Sequence, residues 1–366
     1  MKERIKKTFF DLNALIGISG REQDVARYCR DTIAPYADKV EVMRLGNVIA
    51  TFQGKRPGPS VMIAAHMDEI GIVVKNITPD GFLKFERIGG TQMKVLPGRR
   101  MLLKGEKKVI PGVVGLTPGH IITPQEANTV PAPKDCFIDV GAESRQEVEE
   151  MGIHVGTTGI YDSPAMEMEN PDLVNGRCAD DRINCAILLE LAKELGDRDF
   201  GGTLYITFSV QEEPGCIGAP AAARLKNPDY FIALDTFPAG GTPDVPESRL
   251  SVKINRGPVM SLCDAIFGMM SMFRANANLE KVAKEVAAEQ DIPLQYVTMC
   301  EEAYATDTIS VSKSGLDCPC LEFGIPRRYS HSPIELFNIN DPVRLLNLLK
   351  GILAKNETLN LDFLQD

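Results

Sequence analysis

The sequence predicts an α/β protein: an α/β/α sandwich on a mostly parallel sheet, carrying an inserted small β-barrel. Three observations predict it. Continuous apolar runs of strand length (VMIAA, LYITFSV, YFIAL, CLEFGI) are bounded by turn residues, the pattern of strands buried on both faces. Stretches of helical period, RINCAILLELAKEL, LEKVAKEVAAEQ and VRLLNLLKGILAK, alternate with them. One long interval, residues 71–165, shows neither pattern. There the runs GIVVKNI, GFLKFERI and RRMLLKG are short and broken by Gly and Pro, as in a compact β unit.

Taken in order, the chain starts basic, like a signal peptide, but Asp11 and Asn13 interrupt the apolar run. An amphipathic helix with Ile5, Phe9, Leu12 and Ile16 on one side is the better reading. Ser19 and Glu22 have capping-box spacing for a second helix reaching about Pro35. KVEVMRL and NVIATFQG read as strands joined around Gly46-Asn47, and the buried strand after them ends at His66. Within 71–165 the one convincing helix is SRQEVEEMG. From Asp180 the α/β alternation returns and continues to the final helix. The expected organisation is therefore a discontinuous domain, 1–70 plus 166–366, interrupted by a β-rich domain at 71–165. No internal repeat or low-complexity stretch is visible.

Composition narrows the function classes. Hydrophobic residues are 44% and charged residues 25% of 366, enough apolar material for a full core. A net charge of −10 disfavours nucleic acid and anionic membranes, which are bound through Lys and Arg. No apolar stretch is long enough to cross a bilayer. Nine cysteines, an odd number without a C-x-x-C pair, sit mostly in apolar runs. Reduced, buried thiols and a cytoplasmic location are expected. Cys318 and Cys320 flank a proline, and core packing is the simpler reading for them too.

In open α/β sheets ligands bind beyond the carboxyl ends of the strands, so chemistry is expected at those ends. VMIAA is followed by His66-Met67-Asp68, LYITFSVQ by Glu212-Glu213, and YFIAL by Asp235. Asp180 and Asp181 precede a helix, and His331 follows the strand LEFGIP. Each alone reads as a structural residue; Asp180, for instance, would serve as an N-cap. Together they crowd carboxylates and imidazoles at one sheet edge, an arrangement that repels itself unless cations compensate. Imidazole with carboxylate suits zinc, cobalt or manganese. So many ligands exceed a single catalytic site, whereas two triads can share one carboxylate. Asp68, two residues past His66, is placed to accept the free ring N–H. Of the two glutamates, one can ligate while the other takes a proton from water.

The runs GPSVMIAAHMDEIG, CADDR, SVQEEPG, YFIALD, TDT and RYSHSPIE resemble the motifs of the tetrahedral dodecameric aminopeptidases, metallopeptidase family forty-two. The resemblance covers nearly the whole chain, including GVVGLTPGH and DCFIDVGA in the β-rich interval. It implies a zinc-peptidase-like catalytic domain with two divalent ions per chain. His66 and Asp235 would hold one ion, Glu213 and His331 the other, with Asp180 bridging and Glu212 as general base. It also implies hydrolysis of N-terminal residues from short peptides, dimerisation through the insert, and assembly into a tetrahedral dodecamer. Departures are Pro214 after Glu213, Cys216-Ile217, and Ala239-Gly240-Gly241-Thr242 without the aspartate often found before that threonine. They affect the pocket and remove no ligand.

Competing functions are a glycosidase, a metal-dependent deacylase or carboxypeptidase, and an inactive scaffold. A glycosidase needs two carboxylates across a sugar rather than a metal cluster, and a chain without Trp has few stacking platforms. Phe237, Phe323 and Tyr329 are weighed as pocket or core. His120 is weighed as an ordinary loop residue or one reaching a partner's site. Arg256, Arg327 and Arg328 would favour acidic substrates if they faced the pocket, though exposed arginines are common.

Overall fold

A computed structural model describes residues 1–266, 271–300 and 304–364. Its main sheet runs, edge to edge, through strands Lys39–Val42, Val48–Gln53, Thr203–Ser209, Val61–His66, Tyr230–Pro238, Cys320–Arg328, Glu335–Asn338, Leu173–Gly176 and Met166–Glu167. The four buried apolar runs form the centre, and they are parallel to one another. Pairs on either side of them are antiparallel. Parallel neighbours need crossovers, and the helices between these strands supply them. Helix Ala179–Glu194 packs on one face of this centre, together with Lys2–Asn13, Gln23–Ile33 and Asn340–Ala354. Helices Gly218–Lys226 and Asp307–Ser312 cover the other face. The result is the expected α/β/α sandwich.

The insert is a closed barrel of antiparallel strands: Gly71–Ile77, Leu83–Ile88, Ile138–Asp139, Val109–Val114, Arg100–Lys104 and Thr158–Tyr161, in that order around the ring. Its own apolar core includes Ile72, Val74, Phe85, Met101 and Leu103. Strand Val109–Val114 alternates outward and inward residue by residue. A smaller cluster of Ile16, Ile18 and Ile160 joins the barrel to the N-terminal segment.

Some local expectations change. The first helix ends at Asn13, so Ile16 packs from the following loop rather than from the helix face. Ser19 does not cap the second helix, which starts at Gln23. Its hydroxyl donates to Asp68 at 2.6 Å, and Glu22 accepts from Gly20 and Gln211, so tertiary partners win over the local box. Strands Val259–Ile266, Ser271–Arg274 and Gln295–Met299, which branch from Cys320–Arg328, were not read at all. A register slip between Ser261 and Cys263 breaks the period that would have marked the first of them. The short helix Pro124–Ala127, with a true capping box from Thr123 and Glu126, was also missed.

Candidate metal centre

The central strands deliver the site. His66 is the last residue of Val61–His66, and Glu212 and Glu213 lie just past Thr203–Ser209. Asp235 is carried within Tyr230–Pro238 rather than at its end, because that strand continues to pair as far as Arg327. His331 follows Cys320–Arg328. Asp180 and Asp181 have non-helical backbone ahead of the regular part of their helix, and the peptide between them is cis. Gln211, Cys216, Tyr329 and His331 all have φ between 53° and 61°, the left-handed region that non-glycine residues seldom occupy. Such outliers gather where the surrounding structure imposes a geometry.

Two groups of ligand atoms result: His66, Asp180 and Asp235, and Asp180, Glu213 and His331. Within each group the atoms lie within 4.8 Å of one another, and Asp180 belongs to both. One oxygen of Asp180 is 3.1 Å from His66 Nε2 and the other 3.2 Å from His331 Nε2. Asp181 faces elsewhere. Its oxygens accept from the His66 main-chain N–H at 3.1 Å and from the Asn184 amide, so it braces the strand end. Glu212 Oε2 stands 3.9 Å from His66 Nε2.

Asp68 faces the free ring nitrogen of His66 with both its carbonyl and its carboxylate. His66 Nδ1 is 3.1 Å from the Asp68 main-chain carbonyl, while the Asp68 carboxylate is 3.5 Å away. That carboxylate accepts from the Glu212 and Glu213 main-chain N–H groups at 3.0 and 3.2 Å and from Ser19. It therefore ties the two-glutamate turn to the N-terminal segment. Pro214 lies in the turn closed by the Gly215 N–H on the Glu212 carbonyl, where no proline donor is needed. The Cys216 thiol is 3.1 Å from Glu212 Oε1.

Further residues, assigned no role at the metal centre from sequence, complete the surround. Arg327 is 1% exposed, against its reading as an exposed side chain, and bonds Asp180, Thr236 and Glu335. Glu335 in turn accepts from the main-chain N–H groups of Asp180 and His331 at 3.1 and 2.9 Å. The barrel also takes part: a Cβ on Gly90 would stand 1.9 Å from His331 Nδ1, and one on Gly89 2.9 Å from Glu213 Oε2. Gln92 bonds the Ser330 carbonyl at 3.1 Å. The Glu335 contacts with His331 and Arg327 are local, whereas spacing held no signal for those of the Gly89–Gly90 turn, Gln92 and Asp180, which join segments far apart in the chain. Phe237 and Phe323 are fully buried core residues, Tyr329 is half exposed, and His120 and Arg256 are exposed.

The electrostatics show a shortage of positive charge. Burial, followed by neighbouring acids, pushes the Asp235 and Glu212 carboxyls well above the usual range, and burial pushes Glu213 to about 7. Burial would also raise Asp180, but Arg327 and the two histidines outweigh it and hold it well below. Burial would lower both histidines, yet the acids outweigh it, leaving His331 at about 9 and His66 well above its ordinary value. Divalent cations fit such a donor set, supplying the missing charge to imidazoles and carboxylates already converged.

A family model, M42 glutamyl aminopeptidase, matches residues 46–348. The lysyl aminopeptidase of Pyrococcus furiosus is 34% identical, over 93% of this chain and 94% of its own. Among solved structures, the aminopeptidase APDkam598 from Desulfurococcus kamchatkensis superposes with a TM-score of 0.91 at 28% identity, covering 100% of this chain and 99% of that one. The Pyrococcus horikoshii TET1 peptidase, described as able to assemble into a tetrahedron or a large octahedral shell, gives 0.83 at 28% identity, covering 95% and 99%.

Proposed function

We propose a mechanism from the premise that the chain belongs to the M42 glutamyl aminopeptidase family and is a metal-dependent aminopeptidase, a hydrolase of peptide bonds. The observation that carries it is the sharing of Asp180 between two ligand triads. His66 and Asp235 would hold one divalent ion, Glu213 and His331 a second, and Asp180 both. Zinc or cobalt suits this set best, with manganese as the alternative. When bound, the pair supplies Lewis acidity toward the substrate's free amine and scissile carbonyl and makes water more acidic.

The chain's own residues do the rest. Glu212 takes the proton of the attacking water and returns it to the leaving amine. Asp68 keeps Glu212 and Glu213 in register through their main-chain N–H groups, while its carbonyl holds the His66 ring. Arg327 and Glu335 fix Asp180 and the His331 loop. The depth of the site limits bulk water around the reacting groups.

Short peptides are the expected substrates. We place the chain in the cytoplasm; no helix of the described residues is long and apolar enough to cross a membrane. The insert exposes Leu116, Ile121 and Val130 outside the barrel wall. A second copy covering them would give the dimer from which a dodecamer is built.

Replacing Glu212 by Gln tests the role of the base. The expected result is a loss of about a thousandfold or more in kcat, with two ions per chain kept by elemental analysis. Near-normal peptidase activity in that variant would falsify the assignment.

A further inference from the structure

Register fixes what shares a face with the proposed ligands. Asp235 pairs with Gly324, Ala233 with both Glu322 and Ala64, and His66 with Ser209. Because side chains two apart on a strand share a face, Thr207, Ser209, His66, Asp235 and Glu322 all point the same way. The Ser209–Asp307 hydrogen bond of 2.7 Å shows that this is the side covered by helix Asp307–Ser312. The strand Val259–Ile266 adds Asp264. Ser261 pairs with Glu322, and the slip after Ser261 turns Asp264 back to its face, where the Ser261 hydroxyl donates to it at 2.5 Å.

On this face several buried polar atoms make no hydrogen bond of ordinary geometry. They include both oxygens of Glu322, Asp264 Oδ2, Asp307 Oδ1, Thr207 Oγ1 and Thr308 Oγ1. Glu322, Asp264, Thr207 and Thr308 are all 0% exposed. Buried polar atoms of a native structure are nearly always satisfied, and two neighbouring carboxyls are the costliest exception. Burial raises both acids; Asp264 raises Glu322 further, whereas hydrogen bonding to Glu322 and Ser261 pulls Asp264 back, and among the described residues no Lys, Arg or His pairs with either. Left alone, the pair holds a proton that an incoming cation would displace.

The position of the pair suggests which cation. Glu322 lies two residues before the partner of Asp235, about 7 Å along the strand. That is the reach of an extended four-carbon ammonium side chain whose α-amine sits beside Asp235. Tyr304 lies within electrostatic reach of both Asp235 and Glu322, linking the two ends. We propose that Glu322 and Asp264 form the floor of the subsite for the substrate's N-terminal side chain, and that they select a basic residue, lysine or arginine. This rests on the reading that the substrate amine binds at the Asp235 side of the metal centre.

The test uses metal-loaded full-length protein and the 4-nitroanilides of Lys, Arg, Leu and Glu. Lys and Arg are expected to exceed Leu by about tenfold or more in kcat/KM, and Glu322→Gln to lower the Lys-over-Leu ratio about ten- to a hundredfold. Asp264→Asn is the second variant should the first not fold. In parallel, free L-lysine is expected to raise the Tm further than L-norleucine, which has the same stem without the ammonium. Faster release of Leu or Glu than of Lys, or equal shifts from the two amino acids, overturns the proposal. A doubly metal-loaded protein that cleaves no anilide would instead count against the catalytic assignment, and the lysine–norleucine comparison would still judge the subsite.

Discussion

Residues 71–165 bury two polar side chains, Thr91 and Thr158, and no charged ones, whereas the sandwich buries His66, Asp180, Arg182, Glu190, Asp235, Glu322 and Arg327 among others. The barrel is a packing solution: apolar residues turn inward and charges outward around a closed ring that leaves no unpaired edge. In the sandwich, apolar strands bring ionisable groups to one edge, where burial and then neighbouring acids raise carboxyl pKa values. The difference separates the region built for stability from the region whose strain is tied to chemistry. The turn Gly89–Gly90 is the exception, because it reaches from the barrel to the Glu213 and His331 side chains.

Three experiments probe this division, beginning with the largest effect. Gly90→Ala puts a Cβ where the His331 ring stands. An ion at the proposed Asp180–Glu213–His331 set is expected to bind about a hundredfold more weakly, while one at the proposed His66–Asp180–Asp235 set stays. Elemental analysis would then fall from about two ions per chain toward one; an unchanged content would show that the barrel only packs. Leu103→Ala, in the barrel core, is expected to destabilise by about 2–5 kcal/mol and to leave KM and ion content as they were. A shift in KM from this change would contradict the division.

The smallest effect concerns pH. Burial, against the Ser209 bond, raises Asp307 to about 6 from its ordinary 3.8. A carboxyl raised on folding is harmless below its unfolded pKa and lowers stability as pH climbs through the folded one. Asp307→Asn should therefore unfold like the wild type near pH 4 and be more stable by about 2 kcal/mol or less at pH 8. Equal melting temperatures at both pH values would show that Asp307 sits ionised without penalty.

How much could be read beforehand follows the same physics. His66 and Glu212–Glu213 stood out because a run of buried apolar residues stopped and ligand types began. Spacing could not separate Asp180 from Asp181, since both precede one helix; the resemblance favoured Asp180. In the structure the two differ by orientation, with Asp181 held by the His66 N–H and Asn184. Glu322 was hidden between apolar neighbours in its strand, and Arg327 was read as a charge for the substrate rather than as a buried partner of Asp180. Ser19 was misread because its spacing matched a local cap, while its partner, Asp68, lies 49 residues away. The edge strands escaped because a bulge and short lengths erase the two-residue period.

The contact between the Gly89–Gly90 turn and the Glu213 and His331 side chains has a consequence for modularity. The barrel looks exchangeable, a closed unit with its own core, spliced into the chain between His66 and Asp180. Any graft of a foreign domain at this point would need to reproduce a side-chain-free turn against His331 and a donor for the Ser330 carbonyl in place of Gln92. A chimera keeping only the end-to-end distance of the splice should fold and yet hold its ligands in the wrong place.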